Sequence, residues 1–478
     1  MPEPRTWQLV AGSAVLGLAL AAGAVAAAGP WDTGQRKAER ARAVTLGTTG
    51  GAHHAGAPAA PAPRRPAPAP SAAGVLRALE AAGTTGTTTR PGDLAATLVP
   101  LLADPGLGPL RTASVVDAAT GRQLYGEGAG TPMTPASTIK IATTAAALSA
   151  LGPDHRIATT TVTSTDGRTV TLVGGGDPTL DRARLAALAD ATARALKTRR
   201  ATTVRLAYDA GLYTGPARHP IGPNENLAPV SALMTDAGRL DDSRGGPAPR
   251  TADPARDTAT AFAELLRKAG VTVKDTPTPG KAPKGDRAVP LARTDSAPLA
   301  DLVERTLTHS DNDLAEALAR QTALAHGRPA SFTGAAQAVH DELARLRLPL
   351  AGARFADGSG LDRRDRVTAA LLTGILTRAA DPARPQLRPV LTGLPVGGFS
   401  GTLTDRFGSD TTASGAGLVR AKTGTLTGVN TLAGTVVTAD GRLLAFAFLA
   451  GRTSSPATAQ PALDRLSAAL APRHSPEP

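Results

Sequence analysis

The chain has 478 residues, of which 41% are hydrophobic, and carries a formal charge of +12 from 52 Lys+Arg against 40 Asp+Glu. It contains no cysteine, which excludes disulfides, thiolate catalysis and Cys-based metal sites. Aromatics are only 3% of residues, so any core must be built from Ala, Leu and Val, whose small side chains require many buried positions. The basic residues are scattered and no run of them alternates with aromatics, which argues against nucleic-acid binding and suits an anionic cell envelope.

Taken in chain order, residues 9–29 carry no charge, follow Arg5 and precede Pro30. That length can span a bilayer, and Ala22-Gly23-Ala24 or Ala26-Ala27-Ala28 offers a small-x-small cleavage site. Residues 1–31 therefore read as a signal peptide or membrane anchor. Arg36, Lys37, Arg40 and Arg42 place positive charge on the far flank, which favours the cleaved signal while the anchor stays open. Residues 32–91 read as an Ala/Pro-rich linker, with Pro58, Pro61, Pro63, Pro66, Pro68 and Pro70 forming a semi-extended tether that cannot pack a core.

Folded sequence is expected from about Pro91. A helix is expected over 93–102, then strands over 112–117 and 122–125 around Ala119-Thr120-Gly121. Thr134-Pro135 reads as a helix cap and first turn, with the helix ending at Gly152-Pro153. Strands over 159–162 and 169–173 flank Asp166-Gly167, and helices are expected over 180–196, 254–268 and from 299. Strands over 431–438 and 443–450 flank Ala439-Asp440-Gly441 as a terminal hairpin. Strands at both ends with helices between predict an α+β fold whose sheet joins the two ends.

Three short motifs follow in order: Ser137-Thr138-Ile139-Lys140, Ser310-Asp311-Asn312 and Lys422-Thr423-Gly424, the last followed by Thr425. Each alone is commonplace, the first on surface helices and the others in turns and loops. Together they form the S-x-x-K, S-D-N and K-T-G set of penicillin-binding proteins and class A β-lactamases. The chemistry requires such a set, because a serine hydroxyl is a poor nucleophile until a base takes its proton. Ser137 and Lys140 share one helix face. Lys140 can serve as base if burial or a neighbouring cation lowers its pKa, with Lys422 the candidate cation. Ser310 can relay a proton and Asn312 can hold a substrate amide. Lys422, Thr423 and Thr425 can bind a terminal carboxylate, Gly424 can admit substrate close to the strand, and the N–H groups of Ser137 and Thr425 can form an oxyanion hole. Nothing calls for a cofactor or metal: the eight histidines are scattered, and His53-His54 lies in a polar stretch.

The chain resembles the class C low-molecular-mass penicillin-binding proteins, the D-alanyl-D-alanine carboxypeptidase/endopeptidases, over about residues 92–470. The resemblance extends to Asp117 and Gly121, Pro135-Ala136, Gly174-Gly175-Gly176-Asp177-Pro178-Thr179-Leu180, Ala228-Pro229-Val230-Ser231-Ala232-Leu233, Asp357-Gly358-Ser359-Gly360-Leu361 and Gly401-Thr402-Leu403. The glycine run, Asp357–Gly360 and the Tyr208/Asp209/Tyr213 segment are read as turns and core.

The resemblance implies a DD-peptidase/β-lactamase-like transpeptidase domain, an antiparallel sheet flanked by helices, over 92–153 and 290–472, with an inserted smaller α/β domain over 154–289. Lys140 and Ser310 lie 310 − 140 = 170 positions apart, too far for a class A β-lactamase. The brief stretch after Met234 implies that a third, innermost domain of larger relatives is missing or reduced. The implied activity is removal of terminal D-alanine, or cleavage of a cross-link, on peptidoglycan stem peptides through an acyl-enzyme on Ser137. β-Lactams are the implied acylating inhibitors, the implied location is outside the cytoplasm, and membrane contact is confined to the N-terminal segment. A β-lactamase and an inactive wall-binding relative are the rival readings.

Overall fold

The computed structural model of the chain describes residues 91–472. The expected leader at 1–31 and all but the last residue of the expected linker lie outside the described residues. Among the described residues no helix is long and apolar enough to cross a membrane.

Two five-stranded sheets organise the molecule. The first joins the two ends of the described chain: β1 (Leu110–Asp117) and β2 (Gln123–Glu127) come early, and β8 (Val419–Leu426), β9 (Val429–Val437) and β10 (Leu443–Gly451) come late. Its order is β2-β1-β10-β9-β8, every pair antiparallel. Residues 443–451 are almost wholly apolar because both faces of this sheet are covered. Ala445, Ala447 and Leu449 turn toward one core, and Leu444, Phe446, Phe448 and Ala450 toward the other. The second core is closed by α1 (Pro91–Leu102) and the C-terminal helix Pro456–Ala468. There Phe446 and Phe448 stack with centroids 5.3 Å apart.

The first core is centred on α2 (Lys140–Leu151). Residues 140–148 are all buried, as expected of a helix enclosed on every side. Its alanines allow close approach by the sheet and by the later helices α5 (Leu299–Thr308), α6 (Asn312–Ala325), α7 (Phe332–Arg345) and α8 (Ala369–Ala380). The turn before α2 differs from expectation. Ala136–Ile139 is a 3₁₀ turn capped by Pro135 without a side-chain bond. Thr134 is not the cap, because its hydroxyl accepts from Arg366 Nη1 at 2.9 Å.

The second sheet has the order β6-β5-β4-β3-β7. It comprises β3 (Ala158–Ser164), β4 (Thr169–Val173), β5 (Thr203–Asp209), β6 (Thr272–Pro279) and β7 (Ala288–Asp295). β4, β5 and β6 run parallel, while β3 pairs antiparallel with both β4 and β7. Helices α3 (Arg182–Thr198) and α4 (Pro254–Lys268) connect the parallel strands and share a separate core around Phe262. Asp181 and Asp253 cap them by accepting from Arg184 N and Arg256 N. Residues 210–253 are largely irregular, with the short 3₁₀ turn Asp236–Gly238 and an antiparallel bridge between Arg239 and Arg250. They reach across to the first sheet's side, where Arg250 and Asp313 form a buried ion pair at 2.9 Å.

Phe446→Ala would remove one ring of the stacked pair from a fully enclosed site. Thermal or denaturant unfolding should show a loss of about 3–5 kcal/mol.

Candidate active site

The site forms where the 3₁₀ turn, the start of α6 and strand β8 converge. Lys140 Nζ lies 2.9 Å from Ser137 Oγ, 2.7 Å from Asn312 Oδ1 and 2.6 Å from the Ser359 carbonyl. Three donors of an ammonium thus meet three acceptors. Lys140 and Lys422 are both 0% exposed. Burial lowers Lys140 to about 8, against the opposing pull of Asp357, Asp311, Glu316 and Asp313. Lys422 is held well below the ordinary lysine range by burial and then by repulsion from Lys140. Burial, rather than a charge on Lys422, is the leading cause that makes Lys140 a usable base. Lys422 Nζ donates to the Thr423 carbonyl at 2.7 Å.

β8 is an edge strand, and its outer side can be identified. Ala421 N donates to Pro395 O and Gly397 N donates to Val419 O, both at 2.9 Å, through a bridge between Val396 and Arg420 on the side away from β9. Backbone groups alternate sides in an antiparallel strand, with N–H and C=O of one residue pointing the same way. Thr423 and Thr425 therefore direct theirs to the free edge. The Thr425 N–H expected in an oxyanion hole faces the cleft, and the edge can take an added substrate strand.

Gly424 also serves a purpose that the sequence did not suggest. A Cβ there would collide with Thr431 Oγ1 and stand 2.6 Å from the Pro135 carbonyl. The missing side chain lets β8 lie against the nucleophile's own turn. Gly360, at φ +84°, does the same from the opposite segment, where a Cβ would meet the Ala136 carbonyl. Ala136 itself is left-handed at φ +48°, a costly conformation that persists only where neighbours enforce it.

Ser310 is also left-handed, at φ +56°, and its hydroxyl makes no hydrogen bond among the described residues. Asp311 caps α6 by accepting from Leu314 N, so Ser310-Asp311-Asn312 is a helix entry rather than a free turn. Asn312 is occupied at both ends of its amide: Oδ1 accepts from Lys140, and Nδ2 donates to Asn226 O at 3.0 Å. Thr423 Oγ1 donates to Thr402 Oγ1 at 2.9 Å. The cleft of about 240 Å³ is lined by Ser137, Ser310, Asn312, Thr423 and Thr425, with Arg239 and residues 245–247 of the long loop at its rim. Arg239 orders that rim by donating to Ser243 Oγ, Gly245 O and Gly246 O. Lys140 and Lys422 lie beneath the cleft wall, and Gly424 faces the turn.

A buried group beside Lys140 went unread in the sequence. Glu316 Oε1 accepts from Gly358 N and Ser359 N, each at 3.0 Å, and Arg320 Nη1 donates to Glu316 Oε2 at 2.9 Å. The available signal was an i,i+4 Glu–Arg pair in α6, a spacing at which ion pairs are normally exposed.

A buried lysine on a serine hydroxyl beside an open strand edge defines a serine acyl-transfer hydrolase. The D-Ala-D-Ala carboxypeptidase 3 (S13) family matches residues 94–245 and 242–470, and the chain belongs to that family. It is 38% identical over 408 residues to carboxypeptidase DacB of Mycolicibacterium smegmatis, covering 80% of this chain and 85% of the relative. It is 29% identical over 439 residues to the D-alanyl-D-alanine carboxypeptidase of Actinomadura sp. strain R39, covering 75% and 80%. In fold it is similar to penicillin binding protein 4 (dacB) of Haemophilus influenzae, with a TM-score of 0.65, 22% identity and coverage of 78% and 97%. The chain is thus a serine-type D-Ala-D-Ala carboxypeptidase in class.

Two outcomes follow from this geometry. If Lys140 takes the Ser137 proton it must be unprotonated, so the acylation rate constant should rise with pH through about 8 and level off above it. Gly424→Ala should keep the fold yet displace the Ser137 turn, and stopped-flow acylation should slow on the order of 100-fold.

Proposed function

We propose that Ser137 is the acylated nucleophile and Lys140 its base. The observation that carries this reading is the buried Lys140 Nζ at 2.9 Å from Ser137 Oγ, with its ammonium destabilised by burial. Ser137 Oγ attacks the carbonyl of the penultimate D-alanine while its proton passes to Lys140 Nζ. The N–H groups of Ser137 and Thr425 receive the oxyanion. As the C–N bond breaks, a proton reaches the leaving amine through Ser310, with Lys422 close to its path, and terminal D-alanine departs. Water then attacks the acyl-enzyme, Lys140 takes its proton, and Ser137 leaves reprotonated. Where the amine belongs to a neighbouring stem, the same steps cut a cross-link.

Thr423, Gly424 and Thr425 form the substrate edge, with the Lys422 amine behind it as a hydrogen-bond donor toward a terminal carboxylate. Asn312 acts chiefly by holding Lys140, since both ends of its amide are engaged. The substrates are peptidoglycan stem peptides, which places the enzyme's work outside the cytoplasm. We also propose that residues 92–153 and 290–472 form the catalytic domain and 154–289 an inserted domain; β7 crosses that last boundary, ending at Asp295.

β-Lactams acylate Ser137 in the same way. Their leaving nitrogen stays tethered to the acyl group and obstructs water. The cleft's two carboxylates are both engaged: Asp311 with Leu314 N and Arg305, and Asp313 with Ala228 N and Arg250. Neither is free to drive hydrolysis as a β-lactamase base would. Intact-protein mass after benzylpenicillin should show one stable adduct on wild type and none on Ser137→Ala. A folded wild type without an adduct would falsify the assignment and favour an inactive wall-binding relative.

A further inference from the structure

Lys140 donates to a carbonyl whose position is fixed by a buried group that the mechanism above does not use. The Ser359 carbonyl belongs to the turn 357–360. Asp357 holds that turn by accepting from Gly360 N at 2.6 Å, Ser359 Oγ at 3.1 Å and Asp362 N at 2.8 Å. His219, from the long 210–253 loop, donates to Asp357 Oδ2 at 2.9 Å. The direction of that bond follows from the other ring nitrogen: Ile221 N donates to His219 Nδ1 at 3.2 Å, so Nδ1 is unprotonated and Nε2 carries the hydrogen. The ring is a neutral imidazole, packed edge-on to Phe332 at 5.3 Å.

The ligand atoms of His219, Glu316 and Asp357 lie within 4.8 Å of one another, a spacing that could suit a metal. His219 Nε2 donates to Asp357, and the carboxylate oxygens of Glu316 and Asp357 accept from N–H and O–H donors, so hydrogen bonding accounts for the cluster.

The groups facing Asp357 from each packed element can be named. From α6 come Glu316 and Arg320. Burial pushes Glu316 upward, yet both its oxygens face only N–H donors, which holds it as the carboxylate paired with Arg320. From the same turn comes Asp365, pushed up to about 10 chiefly by burial and then by Asp357, so it is the neutral acid. Asp362 is paired with Arg364. From α2 comes Lys140. Asp357 itself is held down to about 2, the hydrogen bonds from His219 and Gly360 overcoming burial. With Glu316 paired to Arg320, Asp311 to Arg305 and Asp313 to Arg250, the carboxylate of Asp357 is the charge left to balance the Lys140 ammonium.

We propose that His219 and Asp357 are a positioning pair for acylation: His219 fixes Asp357, and Asp357 holds the Ser359 carbonyl against Lys140 while balancing its charge. The pair ties the long loop to the base, so seating of that loop and readiness of Lys140 become one event. The inference rests on the reading of Lys140 as base and adds the device that sets its position and basicity.

The test measures benzylpenicillin acylation against pH, resolved into a limiting rate and an apparent affinity, for wild type, Asp357→Asn, His219→Ala and His219→Gln. Lys140 titration is followed in parallel by NMR of ¹³C-labelled lysine side chains, assigned with Lys140→Arg. Asp357→Asn should move the acid limb and the Lys140 titration down by about one pH unit. His219→Ala should lower the limiting rate on the order of tenfold with little change in affinity. His219→Gln, whose amide can still donate to Asp357, should recover most of that loss. A merely structural loss would lower the amount of active protein without moving the limb. If Asp357→Asn fails to fold, the His219 pair decides the matter alone. Unchanged limb, titration and rate in folded variants overturn the inference while leaving Ser137 acylation standing. Failure of wild type to acylate overturns the mechanism, and the lysine titration then still decides the electrostatic role of Asp357.

Discussion

An ammonium without water must satisfy three N–H donors from the protein alone. At Lys140 the three acceptors are a hydroxyl at position 137, an amide oxygen at 312 and a carbonyl at 359. They come from segments far apart in sequence, so the base exists only when α2, the start of α6 and the 357–360 turn close on one point. Loss of one proton changes what the site can do. The amine keeps two donors, for Asn312 and Ser359, and turns a lone pair toward Ser137. The two fixed acceptors thereby select which contact becomes the proton acceptor.

The rest of the architecture serves that closure. The first sheet brings β8, from the end of the chain, against the Ser137 turn, and Gly424 and Gly360 remove the side chains that would hold the two faces apart. The all-round burial of α2 excludes water from Lys140 and so supplies the desolvation. The long loop approaches from the second sheet's side, and three of its contacts lie beside the base: Asn226 accepts from Asn312, Arg250 pairs with Asp313, and His219 reaches Asp357. Each anchor touches an element that also touches the base or its neighbours. The second sheet, remote from the chemistry, thus reaches it through this irregular segment and through Gly175, whose carbonyl accepts from Gln321 Nε2 of α6 at 2.7 Å.

How much of this the sequence disclosed depended on whether the determinant was local. The three motifs, the terminal hairpin and the helix at Pro254–Lys268 could be read from spacing, caps and periodicity, because each signal lies within a few residues. Thr134 failed as a cap because Arg366, 232 positions away, claims its hydroxyl. Gly424 was correctly marked as a place of close approach, but the approaching group is the protein's own turn. Asp357-Gly358-Ser359-Gly360 was rightly read as a turn, and its importance stayed hidden because its partners are 42 residues away at Glu316 and 138 away at His219. Local patterns report conformation, and they carry little information about which distant charge will be buried beside them.

A buried ionic group of this kind is a poor way to gain stability, since well-packed apolar residues often do as well or better. Its presence under the proposed base is better explained by charge balance. When Lys140 is protonated, the set Glu316, Arg320, Asp357 and Lys140 is neutral. When Lys140 gives up its proton to act as base, the set carries one net negative charge in a dry interior. That cost resists deprotonation, while desolvation of the ammonium favours it, and the two pull Lys140 in opposite directions. Desolvation alone would make a lysine that is always neutral and too weak a base; carboxylates alone would hold it always charged. The opposition leaves Lys140 at about 8, close enough to neutral pH for a general base to be both available and strong enough. Lys422 has no such carboxylate among the causes acting on it, only burial and the neighbouring amine. Two lysines in one dry site can therefore hold different protonation states, and the buried carboxylates decide which of them keeps a proton.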